Sequence, residues 1–153
     1  PVLFDFANPR SYDTALAGIN RIFLMRPPQI TDIEHTLNLF VDAAKKRGVE
    51  QIVFLSLLGV EENPRVPHYA AEQHIKKSAV PYTFLRPSFF MQNLNTTHRR
   101  EIQEDDEIFI PVGEAKTSFI DSRDVGAVAA RTLTENGHNG MAYDLTGPEA
   151  LKY

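Results

Sequence analysis

Cysteine is absent from the 153 residues of this sequence. Without a thiol, the chain has no disulfide, no thiolate metal ligand and no cysteine nucleophile. A chain without disulfides suits a reducing compartment, and we predict that the protein is cytoplasmic. Long apolar runs are missing as well, since none approaches the roughly 18–20 residues that span a bilayer. No basic start followed by an apolar segment marks a signal peptide, so we expect neither a membrane protein nor a secreted one.

Positively charged residues are fewer than negatively charged ones. The 16 Lys and Arg residues against 20 Asp and Glu residues give a net charge of −4. Proteins that bind nucleic acid usually present a basic surface, so no nucleic-acid partner is expected. What the chain does have is 42% hydrophobic and 24% charged residues, a balance typical of a folded globular domain. Its length allows one ordinary domain or a large piece of a bigger one.

The apolar residues recur with the spacing of alternating strands and helices. Strands are predicted over residues 2–6, 19–25, 49–58, 82–86, 108–110, 117–120 and 142–145, and helices over residues 11–17, 31–47, 67–78, 88–103 and 125–134. The second helix is predicted to begin at a capping box formed by Thr31 and Glu34. The last helix is predicted to be capped by Asp121 or Ser122.

One strand indicates how the sheet is built. The run Ile52–Leu55 is apolar at consecutive positions, whereas a strand with one face in water would alternate. Both of its faces are therefore expected to be covered, as in a parallel sheet. Parallel strands need crossover helices, and the strand–helix order repeats at least four times along the chain. We predict the α/β class, with a doubly wound, mostly parallel sheet.

Several motifs come in an order and spacing that resemble one protein family. They are Asp5-Phe6, Val53–Ser56, His68 with Glu72, Pro81–Pro87, Phe90–Leu94, Phe119–Asp124 and Leu145–Pro148. Together they are similar to the NmrA-like, NAD(P)-binding branch of the atypical short-chain dehydrogenase/reductases. The resemblance covers nearly the whole chain and implies a Rossmann-like fold that binds NADP or NAD.

The same resemblance implies that part of the family's fold is missing. The eight glycines include no G-x-G-x-x-G, the pattern with which a first strand–turn–helix holds a pyrophosphate. Compared with the family, the chain begins at the third strand. We therefore predict a fragment in which residues 1–153 form one partial NAD(P)-binding domain, with the start of the substrate-binding part at about residues 88–120. The isolated chain is expected to bind a dinucleotide poorly or not at all.

An incomplete sheet is also expected to expose a strand edge. The family's first strand would lie in the middle of the sheet, so its absence would leave N–H and C=O groups unpaired. Such groups invite pairing with another chain. We predict a homodimer formed through this edge, or poor solubility.

The resemblance assigns cofactor-binding roles to residues at the predicted strand ends. Asp5 would accept a hydrogen bond from the adenine amino group, and the backbone N–H of Phe6 would reach a ring nitrogen. Met25, Arg26 and Pro27 would lie along the pyrophosphate and ribose, where Arg26 could also pair with a phosphate. From the residues alone, Asp5 could equally start an Asx-turn, and Arg26 could be a solvated side chain at a strand end.

The stretch after the predicted strand 82–86 is assigned to the nicotinamide and the substrate. In the family it passes the nicotinamide carboxamide, here at Pro87 and Ser88. It also lines the substrate pocket, here with Phe89, Phe90 and Asn93. Aromatic side chains there would suit a flat ring substrate such as a quinone. The alternative is that some of these aromatic residues simply anchor a helix to the sheet.

Ser56 and His68 are the candidate catalytic residues. Ser56 resembles the family's catalytic-region serine, and its hydroxyl could hydrogen-bond a substrate carbonyl or satisfy local backbone. His68 could bind the nicotinamide ribose, donate a proton with a pKa near neutral, or simply be an exposed histidine. It lies one helical turn before Glu72, so the two can pair. A metal would need a third ligand on that helix face, which His74 does not share, so no metal is predicted.

The proton-donating Tyr-x-x-x-Lys pair of the superfamily is not intact in this sequence. Tyr69 is followed four residues later by Gln73, which has no charge with which to lower the pKa of a tyrosine. A second alignment is anchored on Glu72, fourteen residues before Arg86. It puts His68 at the lysine position and a proline at the tyrosine position. The pair is broken in both alignments.

The resemblance leaves two functions open. The first is an NAD(P)-dependent oxidoreductase that transfers hydride from NAD(P)H to a small electrophilic substrate such as a quinone. Loss of the proton-donating pair matters little for a substrate that needs little protonation. The alternative is a non-catalytic NAD(P)-binding redox sensor or regulatory protein, which a broken proton relay fits equally well.

Overall fold

The structure is a computed structural model that describes residues 1–152. The strands are β1 (Arg21–Met25), β2 (Gln51–Leu55), β3 (Tyr82–Pro87), β4 (Lys116–Thr117), β5 (Met141–Leu145) and β6 (Leu151–Lys152). The helices are α1 (Tyr12–Ala15), α2 (Leu37–Lys46), α3 (Pro67–Ser78), α4 (Arg99–Glu104) and α5 (Ser122–Thr134), and short 3-10 helices cover Pro9–Ser11, Val60–Glu62 and Met91–Asn95. Within residues 1–152, no helix has the length and apolarity needed to cross a bilayer.

Four strands form one parallel sheet in the order β1-β2-β3-β5. The register pairs Met25 with Leu55, Leu55 with Leu85, and Pro87 with Leu145. The four strands therefore end along one side of the sheet, which we call the carboxyl edge. The strands β4 and β6 form a separate antiparallel pair.

Helices cover both faces of the parallel sheet. On one face, α2 and α3 pack over Phe54 and Phe84, which are fully buried. On the other face, Ala129 of α5 packs against Val53 and Leu85. All of β2 except its last residue is buried, as its continuous apolar run indicates. The predicted α/β class with a doubly wound, mostly parallel sheet is confirmed.

Residues 2–6 do not form the predicted strand. The chain turns there instead, because the carboxylate and the carbonyl of Asp5 each accept a hydrogen bond from a backbone N–H two or three residues later. The rings of Phe4 and Phe6 pack edge-on against Phe40 of α2, with centroids 5.0 and 5.5 Å apart. A strand needs a neighbour for its backbone groups. No strand of residues 1–152 pairs with this segment, so its apolar side chains are covered by a helix.

Helix α2 begins later than predicted. Thr31 and Glu34 form no capping box, and the helix starts at Leu37. The carboxylate of Asp32 accepts a hydrogen bond from the N–H of His35 at 3.1 Å. This side chain therefore stabilises a local turn, which competes with helix formation at the same residues.

The segment after β3 is less regular than predicted. In place of one helix over 88–103, a 3-10 helix is followed by the short α4. Residues 108–110 are not a strand, and the predicted strand 117–120 is reduced to β4 and a single bridge between Phe90 and Ile120. Backbone hydrogen bonds on both sides of Ile120 hold the chain extended beside Phe90, so a continuous helix cannot form there.

Gly147 lies where the chain after β5 passes very close to another segment. Its N–H donates to the carbonyl of Ser118 at 3.3 Å, and a Cβ at this position would overlap the carbonyl oxygen of Phe119. We predict that Gly147→Ala lowers the free energy of unfolding by about 1–3 kcal/mol, because the backbone must move apart. Urea denaturation measures this loss.

Gly126→Ala in α5 is the matched control. A Cβ at Gly126 meets no atom within 4 Å, and alanine is favoured over glycine in a helix by about 0.5–1 kcal/mol. This variant should therefore be at least as stable as the unchanged chain. Equal stability of the two alanine variants would contradict the close approach at Gly147.

Candidate functional site

The carboxyl edge of the sheet is held together by backbone hydrogen bonds that continue past the strands. The N–H of Ser56 donates to the carbonyl of Leu85 at 2.8 Å, and that of Leu58 donates to Pro87 at 3.0 Å. The N–H of Ser88 donates to Leu145 at 2.9 Å. The loops that leave β2 and β3 are therefore fixed against each other where ligands bind in open α/β sheets.

A cavity of about 340 Å³, called the cleft below, lies between these loops. It is lined by Ser56, Leu57, Leu58, Pro87, Ser88, Phe89, Phe90 and Asn93. The structure thus brings together the three predicted substrate residues, one candidate catalytic residue and two predicted nicotinamide residues. Sequence reasoning missed the two leucines, because apolar residues in a turn carry no signal of their own.

Ser56 lines the cleft, and its hydroxyl forms no hydrogen bond with the described residues. Its side chain is buried, with 4% of the residue exposed, and its Oγ has no hydrogen-bond partner among the described residues. Buried hydroxyls are normally hydrogen-bonded, because an unsatisfied one costs about 1–3 kcal/mol. Of the two alternatives for Ser56, a hydrogen bond to local backbone is therefore not formed. The hydrogen-bonding capacity of this hydroxyl is unused among the described residues, at a residue that lines the cleft.

Ser88 and Phe89 line another side of the cleft, and polar and aromatic contacts hold them in place. The Oγ of Ser88 donates to the carbonyl of Ser118. The ring of Phe89 lies edge-on to Phe119 at 5.7 Å and stacks on His98 at 6.0 Å. Phe89 thus both lines the cleft and packs against neighbouring elements. Its position is compatible with a pocket wall and with an anchor for the segment after β3.

Gln92 connects the segment after β3 to the start of α5. Its side-chain N–H donates to Asp121 at 2.8 Å, and its side-chain oxygen accepts from the N–H of Ser122 at 2.9 Å. Asp121 also caps α5, as predicted, by accepting from the N–H of Arg123 at 2.8 Å. Sequence reasoning did not identify Gln92, because its partners lie about thirty residues away along the chain.

Arg86 lies at the end of β3, directly before the cleft-lining Pro87. Its guanidinium forms a two-bond pair with Glu72 of α3, at 3.0 and 2.8 Å, and a further ion pair with Glu61 at 2.9 Å. The carboxylate of Glu72 is almost fully buried. The pair with Glu72 raises the pKa of Arg86. The fourteen-residue spacing noted in the sequence therefore corresponds to a direct contact.

His68 lies in the first turn of α3 and does not line the cleft. Its ring is 6.0 Å from that of Phe54. Burial, and then the positive charge of Arg26, lower the pKa of His68 to about 4, and the opposing effect of Glu72 is smaller. A proton donor with a pKa near neutral is therefore the wrong expectation. Since the carboxylate of Glu72 is bound to Arg86, the expected pair with His68 does not form within the described residues.

Arg26 holds the turn that follows β1. Its Nη1 donates to the carbonyls of Pro27, Pro28 and Ile30 at 2.9, 3.1 and 2.6 Å. These bonds contradict the alternative of a solvated arginine, and the phosphate-binding role of Arg26 stays a prediction. Its Nε is buried without a partner among the described residues, and burial lowers the pKa of Arg26. Arg26 and Pro27 are half-buried beside the neighbouring Met25, which is exposed, and none of the three lines the cleft.

Asp5 and Phe6 lie outside the cleft, near the start of α2. The hydroxyl of Tyr12 donates to the carbonyl of Phe6 at 2.6 Å and lies 3.3 Å from the carbonyl of Thr36. Asp5 accepts from the N–H of Ala7 at 2.9 Å, which is the Asx-turn considered as the alternative for this residue. The adenine-binding role of the two residues stays a prediction. Within residues 1–152, no cluster of three or more His, Asp and Glu side chains could hold a metal ion.

The lowered pKa of His68 predicts a pH dependence of stability. In the unfolded chain this histidine has a pKa of about 6.5 and takes up a proton more readily than in the folded chain. Its contribution to folding is therefore present above about pH 6.5 and lost as the pH falls toward 4. We predict that the stability difference between the unchanged chain and His68→Asn shifts against the unchanged chain between pH 7 and pH 5.

Urea denaturation at the two pH values measures this shift. His35→Asn is the control, because His35 lies on an exposed loop and is paired with Asp32. Its stability difference should not move in the same direction. A pH-independent difference for His68→Asn would show that His68 is not buried as the structure has it.

Comparison with known proteins gives these observations a context. Residues 2–143 match the NmrA-like family. The NAD(P)H azoreductase of Xenophilus azovorans is 36% identical over 151 residues, which are 96% of this chain and 52% of that protein. The chain spans about half the length of the curated relatives it matches.

Two solved structures are similar in three dimensions. The NADPH-dependent quinone oxidoreductase of Escherichia coli, complexed with NADPH, superimposes with a TM-score of 0.85 at 26% identity, over 97% of this chain and 53% of that one. The triphenylmethane reductase of Citrobacter sp., complexed with NADP(H), gives a TM-score of 0.82 at 26% identity, over 96% and 53%. The family match covers most of the chain, and these likenesses extend over the same sheet. The chain belongs to the NmrA-like family.

Proposed function

We propose that the chain forms the nicotinamide and substrate side of an NAD(P)H-dependent reductase that acts on a small electrophile such as a quinone. The observation that carries this proposal is the buried, unpartnered Oγ of Ser56 on the lining of a cleft at the carboxyl edge. A buried donor without a partner is costly, so its retention favours a ligand that uses it. The similar reductases of E. coli and Citrobacter, complexed with NADPH and NADP(H), support the same class of ligand.

The residues of the cleft fit a nicotinamide in chemical terms. Ser56 offers a hydroxyl that no described residue uses, whereas the carbonyl of Pro87 and the N–H of Ser88 are already bonded to neighbouring backbone. Phe89 and Phe90 provide flat apolar surface that keeps water away from the reacting atoms. A bound NADPH or NADH would supply the hydride, and the protein would supply orientation. His68, neutral at pH 7, is proposed to hydrogen-bond the ribose without carrying charge.

A quinone is the proposed substrate class because it needs little help from a proton donor. Hydride addition to the ring leaves a negative charge on one quinone oxygen, and that oxygen takes its proton from water afterwards. The Oγ of Ser56 would donate a hydrogen bond to the same oxygen while the charge develops. This route needs no Tyr-x-x-x-Lys pair, which the sequence does not contain.

A non-catalytic NAD(P) sensor is the second candidate. The observation that favours it is the lack of a proton-donating group at the cleft: the residue four after Tyr69 is Gln73, and His68 is uncharged at neutral pH. NAD(P)H oxidation with a panel of quinones and aldehydes, measured beside a cofactor titration, separates the two functions. Turnover supports the reductase, whereas binding without turnover on any substrate supports the sensor.

Ser56→Ala tests the proposal by combining activity with stability. We predict that quinone-dependent NAD(P)H oxidation falls about 100-fold, because the donor to the developing oxyanion is lost. The free energy of unfolding should stay the same or rise by about 1 kcal/mol, because an unsatisfied buried hydroxyl is removed. A loss of stability would mean that the hydroxyl has a structural partner.

Ser88→Ala is the matched control for stability. The hydroxyl of Ser88 is bound to the carbonyl of Ser118, so its removal should cost about 0.5–1.5 kcal/mol. Opposite signs for the two serine variants are expected in the same urea denaturation series. Equal destabilisation by both would contradict the assignment of Ser56 to a ligand.

We also propose that two copies of the chain pair through β1, at the edge of the sheet. The carbonyl of Asn20 accepts from the N–H of Gln51, so the backbone groups of Arg21, Phe23 and Met25 point away from β2. Phe23 and Met25 are 41% and 57% exposed. An apolar strand with free backbone groups favours pairing with a second such strand. The cytoplasm stays the proposed compartment, on the cysteine-free sequence alone.

Light scattering of the purified chain tests the pairing. We predict a dimer or larger particles for the unchanged chain and a monomer for Phe23→Lys, because two lysines would repel each other across the paired edges. Leu39→Lys is the control, since Leu39 on α2 is equally exposed, at 41%, but lies away from this edge. A well-behaved monomer of the unchanged chain would refute the dimer.

A further inference from the structure

Three segments that build the cleft or its surroundings meet at Arg86. The first is the loop after β2, which carries Ser56 and continues to Glu61. The second is α3, which carries His68 and Glu72. The third is the end of β3, where Arg86 itself precedes the cleft-lining residues. From the end of β3, one guanidinium therefore contacts both α3 and the loop after β2.

The contact with α3 is rigid in both distance and direction. The Nε and Nη2 of Arg86 donate to the two carboxylate oxygens of Glu72 at 3.0 and 2.8 Å. A two-bond guanidinium–carboxylate pair fixes the relative orientation of its partners, which a single bond does not. The side chains of Arg86 and Glu72 are only 11% and 2% exposed, so water does not compete with the pair.

Three contacts anchor the loop after β2, and the ion pair of Glu61 with Arg86 is the last of them along the chain. The N–H of Leu58 donates to the carbonyl of Pro87 at 3.0 Å, and Val60 is fully buried. Between them, Gly59 has a φ of +72°, a conformation that glycine adopts without strain. Glu61 then pairs with the Nη1 of Arg86 at 2.9 Å. The loop that carries Ser56 is thus held in place at both ends of its turn.

We propose that Arg86 is a positioning residue of the cleft, which acts through Glu61 to hold Ser56 in the orientation that its role requires. Arg86 is assigned no ligand contact, because it does not line the cleft and each of its three nitrogens already bonds to Glu72 or Glu61. The role of Ser56 rests on the proposed function, whereas the ordering of the loop does not. Small displacements of a donor matter, since a shift of about 1 Å can cost about 100-fold in rate.

Stability alone is a poor explanation for the Glu61 contact. Its carboxylate is about half exposed, at 49%, and such partly solvated ion pairs usually add little to the stability of a protein. The pair of Arg86 with Glu72 would neutralise the buried carboxylate without it. What Glu61 adds is a connection between the loop and the buried pair.

Glu61→Gln and Glu62→Gln form the matched test pair. Both remove one negative charge from the same 3-10 turn, but the structure pairs only Glu61 with Arg86. We expect the melting temperatures of both variants to stay within about 2 °C of the unchanged chain. Hydrogen exchange at the amides of Ser56 and Leu58 should become about 10-fold faster in Glu61→Gln only, because the loop that carries them loses its ion pair with Arg86 of β3.

Activity measurements then separate positioning from a general effect on folding. Glu61→Gln is expected to lower kcat for quinone reduction about 10-fold with little change in the KM for NAD(P)H. In a chain that already carries Ser56→Ala, it should cost almost nothing more, because both changes act through the same hydroxyl. Equal losses in the two backgrounds, or unchanged exchange at Leu58, would overturn the proposal.

The same experiments distinguish failure of this inference from failure of the proposed function. If the chain shows no quinone-dependent NAD(P)H oxidation, the exchange pattern alone decides the role of Arg86. Faster exchange confined to Ser56 and Leu58 in Glu61→Gln supports the positioning role. Exchange identical to that of Glu62→Gln overturns it.

Discussion

The in-register parallel pairing of β2 with β3 is the constraint on which the rest of the structure depends. It places Leu55, the last residue of β2, opposite Leu85, and the bond from the N–H of Leu58 to the carbonyl of Pro87 continues the contact to the end of β3. Each following loop begins with a residue of the cleft, Ser56 on one side and Ser88 on the other. Burial of both faces of β2 by helices keeps the two strands from shifting, because a slip of one residue would reverse every buried side chain.

Two kinds of buried polar group lie at this edge, and they have different physical meanings. Arg86 and Glu72 satisfy each other, so their burial is compatible with a stable fold whether or not a ligand is present. The hydroxyl of Ser56 is satisfied by nothing in the described part of the chain. A fold that keeps such a group pays for it in stability, and a ligand that binds it offsets that cost. Arg86 and Glu72 therefore support the proposed site, whereas the hydroxyl of Ser56 is part of it.

The parts of the fold that the sequence predicted are those set by local pattern. The apolar run of β2, the span of α3 and the cap at Asp121 depend on neighbours in the chain or on two-sided burial. The strand at residues 2–6 was wrong because a strand needs a partner that a local pattern cannot supply. The capping box at Thr31 was wrong because a competing turn uses the same residues.

The candidate site also has features that local sequence predicted and features that it did not. Strand ends are visible in the sequence, and the predicted substrate residues and Ser56 do share one cavity lining, while their roles stay predictions. The charge state of His68 was not, because it is set by burial and by Arg26, more than forty residues away in the chain. Gln92 and Glu61 were missed for a related reason: their partners are remote in sequence, and an exposed-looking polar residue gives no sign of them.

Binding of a nicotinamide in the cleft beside Ser56 can be tested by an NMR titration of the chain with reduced nicotinamide mononucleotide. This ligand carries the nicotinamide end of the cofactor without the adenine, so it does not depend on the regions assigned to the rest of the dinucleotide. If a nicotinamide binds there, saturable amide shifts cluster at residues 56–58 and 88–93. No shifts there at saturating ligand, or shifts confined to the opposite edge of the sheet around Gly137–Gly140, would contradict it.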